Sequence, residues 1–154
     1  MSGSKFVYVT YIRIAPDKLW RALTTSEVIK RYRFGMCVES EWKVGSTWRM
    51  YAGGKLMDSG EILESVSQKR LVMSWLCEWK SEFKAEGNTR CVYEIEPTGA
   101  SAKLTLTHSI ERPDSRFIGA VSEGWPMVIS NLKSLLETGD LALVYHREKG
   151  QSKA

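Results

Sequence analysis

Tyr8-Val-Thr-Tyr-Ile-Arg-Ile14 runs directly into Ala15-Pro-Asp-Lys-Leu-Trp-Arg-Ala-Leu-Thr24, and the periodicity changes at the junction. As far as Ile14 the residues are mostly β-branched or aromatic, which suits a strand. From Pro16 the apolar residues Leu19, Trp20 and Leu23 fall at helical spacing. Pro16 stands where a helix can begin, because the N–H it lacks would have no intrahelical partner there. The order implied is a strand running into a short helix, then a long β-rich stretch, then one long terminal helix. That order points to a fold built around an internal cavity.

Working outward, the pattern gives a strand over 6–14, a helix over 16–23 and a second helix capped by Thr25 or Ser26 and running to about Tyr32. Arg33-Phe34-Gly35 is a turn. Strands follow over 36–39, 47–51, 56–65, 70–79, 90–96 and 102–110, and Gly53-Gly54 marks a tight hairpin. Trp125, Val128, Ile129, Leu132, Leu135 and Leu136 form one stripe of a terminal helix. Pro126 marks its first turn or a kink, and Gly139 is a suitable C-cap. Short turns between consecutive strands imply antiparallel neighbours. The expected class is therefore α+β: a curved antiparallel sheet of about 6–7 strands wrapped around the long C-terminal helix, with two short helices after the first strand. Strand 6–14 is expected at an edge of the sheet. One domain is expected over 6–139, preceded by a disordered terminus over 1–5 and followed by a polar tail over 140–154.

The net charge of +4 is spread over interspersed Lys, Arg, Asp and Glu. No basic run marks a nucleic-acid surface. No apolar stretch approaches the length of a membrane span. The opening Met-Ser-Gly-Ser-Lys has no apolar core and is not a signal peptide. The three cysteines, Cys37, Cys77 and Cys91, lack a CxxC spacing and read as free thiols of a reducing compartment. A cytoplasmic location is the expectation. Cys77 and Cys91 sit on strands that can be neighbours.

Little here has the pattern of catalysis. His108 ends an apolar strand face, where it can exchange protons in a cavity or be hydrogen-bonded in place. The only other histidine, His146, lies in the polar tail. No ligand spacing for zinc, no Gly-x-Ser-x-Gly and no phosphate-cradling loop occurs, so no metal, cofactor or catalytic residue is assigned. Glu61 and Glu64, at odd separation, are expected on opposite faces of a strand. The aromatic set carries the strongest signal. Trp48 with Met50, Met73 with Trp75 and Cys77, and Tyr93 with Ile95 each share a strand face. Such faces either pack as core or line a pocket.

Several of these segments together carry a resemblance: Ala15-Pro16 with Trp20 and Leu23-Thr24, Trp42-Lys-Val-Gly45, Ser59-Gly-Glu-Ile-Leu-Glu64, Arg70-Leu-Val72 with Trp75, Thr107-His108, Gly124-Trp-Pro126 and Asn131-Leu132 with Leu135-Leu136. In order and spacing they resemble the helix-grip, START-like (SRPBCC) superfamily of lipid-transfer domains and polyketide cyclases. Within it they resemble the group of homologues of the activator of the heat-shock-protein ATPase. The chain departs at Arg33, where members of the group often carry Trp. The resemblance implies a hydrophobic small molecule or lipid bound between helix and sheet, touching Trp48, Met50, Trp75, Tyr93, His108, Trp125 and Ile129. Tyr32, Arg33 and Phe34 would form the cavity mouth. It also leaves open a cyclase- or hydrolase-like enzyme, a chaperone-ATPase-activating interaction and a homodimer.

Overall fold

The computed structural model describes residues 3–144. The elements are β1 (Ser4–Ile12), α1 (Pro16–Leu23), α2 (Ser26–Tyr32), β2 (Cys37–Ser40), β3 (Thr47–Ala52), β4 (Lys55–Val66), β5 (Arg70–Cys77), α3 (Ser81–Lys84), β6 (Thr89–Thr98), β7 (Ser101–Ile110) and α4 (Arg116–Thr138). The strands form one seven-stranded sheet in the order β1-β7-β6-β5-β4-β3-β2. Every neighbouring pair is antiparallel. The expected α+β architecture is the one observed, and β1 is an edge strand as its sequence position suggested.

Local chemistry sets the element ends. Pro16 opens α1, which buries Leu19, Ala22 and Leu23, and α2 buries Ile29 and Tyr32. Gly53 and Gly54 both take positive φ, 57° and 82°, the combination that a two-residue hairpin twisting with its strands requires. Bulges interrupt β3 between Met50 and Tyr51 and β4 between Ile62 and Glu64. A bulge bends its strand and adds twist, which curves the sheet toward α4.

Several expectations need correction. β1 starts at Ser4 rather than residue 6, so Ser4 and Lys5 are not disordered. The Ser4 hydroxyl donates to Arg112 O and accepts from the Ser115 N–H, fastening the strand to the start of α4. β5 stops at Cys77, and Glu78 donates its N–H to Met57 O before the chain turns into α3, which periodicity did not reveal. Helix α4 begins at Arg116, well before Trp125, so Pro126 lies inside it. Ser115 caps it by accepting the Ile118 N–H at 3.0 Å. The Glu86 carboxylate, reached from the α3–β6 connection, accepts from Ser115 Oγ and the Arg116 N–H. These groups satisfy N–H donors that the first turn leaves unpaired. The β4 bulge also breaks the parity argument for Glu61 and Glu64. Ile62 faces the core, while Glu61 is exposed and Glu64 pairs outside with Arg70 at 3.0 Å. Cys77 lies opposite Asp58 and Cys91 opposite Met73, so the two buried thiols are not cross-strand partners.

The core lies between the concave sheet face and α4, where Leu71, Leu104, Leu106, Ile129 and Leu132 are fully enclosed. Gly139, at φ 87°, ends α4 as foreseen and returns its N–H to Leu135 O. Beyond it, Asn131 of α4 holds Leu143 by both backbone groups, at 2.8 and 2.6 Å. The rest of the expected polar tail, His146 included, lies outside the described residues.

Candidate functional site

Trp75 of β5 is the hub of the interior. Its ring meets Trp48 of β3 at 4.6 Å and Trp125 of α4 at 5.7 Å between centroids, both near edge-to-face. Tyr93 of β6 stands edge-on to Trp125 at 6.0 Å. Aromatic pairs favour such angles because the positive ring edge meets the negative face. Trp48 reaches this position across β4, where its Nε1 donates to Ser74 O at 2.9 Å. Gly60 makes the crossing possible: a Cβ there would lie 1.9 Å from Ser74 O and 2.6 Å from Trp48 Nε1.

His108 is fully buried and both ring nitrogens are occupied. An indole N–H can only donate, so the Trp125 Nε1 contact at 3.0 Å makes His108 Nδ1 the acceptor. The neutral ring therefore carries its proton on Nε2, which donates to Thr89 Oγ1 at 2.7 Å. Thr89 in turn donates to Trp75 O at 2.9 Å. Burial, with a smaller contribution from the Arg33 charge, pushes the imidazole pKa down to about 3. His108 is thus a neutral strut joining α4 to β6 and β5, kept uncharged near neutral pH by its burial.

The open space lies alongside these rings rather than among them. A cleft of about 340 Å³ runs between α4 and the sheet. Phe117, Val121 and Trp125 of α4 line it, with Phe34 and Met36 from the α2–β2 connection, Trp79 from just before α3 and Phe83 from α3 itself. Phe83 is set by an edge-on contact with Phe117 at 5.6 Å. Met50 and Trp75 lie at the inner end. A broader hollow of about 750 Å³ adjoins it and shares Phe34, Met36 and Met127. Between the sheet and α2, only about 20 Å³ is free, room for a single water.

Of the residues expected to touch a ligand, Met50, Trp75 and Trp125 line the cleft, as do Arg33 and Phe34 from the expected mouth. Trp48, Tyr93 and Tyr32 border only the small void, and the Tyr32 hydroxyl donates to Ala22 O at 3.0 Å. His108 and Ile129 line neither space and serve as core.

Among the described residues two charged ones line the cleft, Arg33 and Asp58. Arg33 does more than rim the mouth. Its guanidinium carbon lies 4.7 Å from the Trp125 ring centroid and 5.4 Å from that of Trp75. Asp58, which the sequence reading passed over, is buried on β4 opposite Met50. Its Oδ1 accepts from Trp75 Nε1 at 3.0 Å. Burial raises its carboxyl pKa, only partly offset by the Trp75 hydrogen bond and the Arg33 charge. A signal was present in the sequence: Asp58 is in step with the inward Ile62 through Gly60, and acids are uncommon inside strands. Trp79, Phe83 and Phe117 were missed with α3 and the first turns of α4.

Among the described residues no group of three or more His, Cys, Asp or Glu could hold a metal ion, and no helix is long and apolar enough to cross a membrane. A curved antiparallel sheet gripping a long terminal helix, with a cleft between them, defines a helix-grip protein of the START-like superfamily. Residues 13–137 match the family described as activator of Hsp90 ATPase homolog 1-like protein, and the chain belongs to that family. Among solved structures it is similar to a Mesorhizobium loti protein, with 28% identity, a TM-score of 0.77, and coverage of 90% of this chain and 100% of that one. An HSP90 activator from Plasmodium falciparum aligns at 21% identity and a TM-score of 0.73, over 87% and 96% of the two chains. The Aha1 dimer from Colwellia psychrerythraea aligns at 19% identity and a TM-score of 0.73, over 88% and 98%. The last two likenesses are of fold. No curated protein matches the chain in sequence.

Proposed function

We propose that this protein binds a small, largely hydrophobic molecule in the cleft between α4 and the sheet. The observation that carries the reading is the cleft itself. It offers about 340 Å³ walled by aromatic and aliphatic side chains, with Arg33 and Asp58 the only charged groups on it among the described residues. That combination, an apolar body with a few fixed polar groups, is the usual composition of a small-molecule site. Binding excludes water from Trp125, Phe117 and Val121 at little conformational cost, because Trp125 is already held by His108 and Phe117 by Phe83.

Nile red, an uncharged dye that brightens in apolar surroundings, tests this directly. It should bind with a saturable signal, and Val121→Trp, which fills the cleft from α4, should abolish the signal while leaving the fold intact by circular dichroism. Dye binding unaffected by Val121→Trp would place the apolar site elsewhere. Native mass spectrometry of freshly purified protein should show a co-purifying small molecule that organic solvent releases.

A further inference from the structure

We infer that the cleft selects an amphipathic anion, a monocarboxylate whose head docks on Arg33 while its apolar body lies against α4, with Asp58 beside the head coupling occupancy to proton uptake. The inference rests on the small-molecule reading above and specifies the ligand's chemistry.

Arg33 carries the argument. A guanidinium stays charged at any physiological pH and offers five N–H donors. Its partners here are poor. Among the described residues its side chain hydrogen-bonds only uncharged acceptors, the Met50 sulfur 3.7 Å from Nη1, a weak acceptor, and the Tyr93 hydroxyl. None of the ion pairs among the described residues includes it. What it has instead is the ring faces of Trp75 and Trp125. Cation–π contact engages the flat face of a guanidinium and leaves in-plane N–H groups for a carboxylate, which they fit two at a time. A half-buried cation so placed, on an apolar cleft, lacks the anion that buried cations ordinarily keep.

Asp58 does not fill that role. It is not within ion-pair distance of Arg33, and it spends Oδ1 on the Trp75 indole. Its Oδ2 has no protein partner among the described residues and is not sealed from the cleft. The groups facing Asp58 are Arg33 from the turn after α2, Glu78 after β5 and the Cys77 thiol opposite it on β5. The stretch of α4 along the cleft adds no titratable group. The asymmetry between the two charges decides the sign of the ligand. Arg33 cannot discharge. Asp58 can, because burial already favours its protonated form. Excluding water with an anion leaves one fixed cation, one ligand carboxylate and one Asp58 that takes up a proton, so charge balances. An ammonium ligand would instead stand beside a cation that cannot leave. Two carboxyl groups sharing a site hold a proton between them, with one pKa raised.

The test compares decanoate, decanol and decyltrimethylammonium, all below their micelle concentrations, by tryptophan fluorescence and calorimetry. Decanoate should bind about tenfold or more tighter than decanol, the range that charge-assisted hydrogen bonds supply. Arg33→Gln should erase that preference with the fold unchanged by circular dichroism, and Arg33→Lys should restore part of it. Decanoate affinity should weaken as pH rises, with net proton uptake on binding, and Asp58→Asn should flatten the trend and tighten binding at its high-pH end. Equal binding of decanoate and decanol, a preference that survives Arg33→Gln, or tighter binding of the cation would each overturn the anion assignment while Nile red still binds. A pH trend unchanged in Asp58→Asn would overturn the proton coupling. Failure of Nile red and all three probes would instead overturn the small-molecule reading beneath it.

Discussion

Replacing His108 by Gln should change how the stability of this protein depends on acid. In the folded chain His108 is neutral, with its pKa pushed down to about 3 by burial and by the Arg33 charge; Cys91 faces it across β6 and β7, itself held neutral by burial with a pKa raised to about 12. In the unfolded chain the same imidazole titrates near 6.5. Between these values the unfolded state binds a proton that the folded state refuses, so stability falls as pH falls. At pH 5 the unfolded state gains about RT ln(1 + 10^1.5), or roughly 2 kcal/mol, against roughly 0.2 kcal/mol at pH 7. The folded protein should therefore lose about 2 kcal/mol across that interval from this residue alone. Gln cannot be protonated, so His108→Gln should be less stable at pH 7, through loss of the Trp125–His108–Thr89 chain, yet show a shallower decline toward pH 5. Urea denaturation followed by tryptophan fluorescence at several pH values gives both curves. Parallel curves would refute the reasoning, as would an NMR titration placing His108 near its ordinary value in the folded state.

Gly60→Ala should cost about 3 kcal/mol, combining overpacking against Ser74 O with loss of the Trp48 indole bond, and should lower the melting temperature by roughly 6–12 °C. A drop of under about 1 kcal/mol would show that β4 can move away without penalty. The Glu86 carboxylate is raised by burial but lowered further by its bonds from Ser115 and the Arg116 and Phe117 N–H groups, so it titrates below the usual range when folded. Its contribution is then present above its unfolded pKa and disappears as pH falls through the lower folded value. Glu86→Gln should accordingly cost about 1 kcal/mol at neutral pH, with the two proteins converging in strong acid during denaturant melts. Asn131→Ala removes both bonds to Leu143, and limited proteolysis should then cut within 140–144 much faster than in the parent chain.

Much of the frame could be read from the chain because its determinants are local. The junction at Ala15-Pro16 fixes where β1 gives way to α1, Gly53-Gly54 fixes a hairpin, and Gly139 fixes the end of α4. Each depends on residues a few positions apart. The parts that escaped depend on distant partners. The start of α4 at Arg116 is stabilised by Glu86, about thirty residues upstream, and by the Ser4 hydroxyl near the other end of the chain. Glu61 and Glu64 were placed on opposite faces by a period of two, which a single bulge defeats.

The site divides the same way. Apolar alternation located Trp48, Trp75 and Tyr93 on the inner face, yet alternation cannot distinguish a ring that fills space from one that borders it. The difference lies in volume. Trp48 crosses the vacancy over Gly60 and, with Tyr93, closes the interior to about 20 Å³, so the usable space shifts outward to the α4 cleft. That shift changes the meaning of Arg33. At the lip of an interior cavity it would be a polar rim that a ligand passes. Beside an outward cleft it reaches across the mouth onto Trp75 and Trp125 and becomes the inner end of the site, with Asp58 next to it. A hydrophobic pocket with a bare apolar end would discriminate among ligands weakly, since each methylene is worth only about 0.8 kcal/mol. A fixed cation with unused donors discriminates by the far larger cost of leaving a desolvated charge unpaired. The selectivity we propose for this cleft thus rests less on its aromatic walls than on one charged side chain that those walls hold in place.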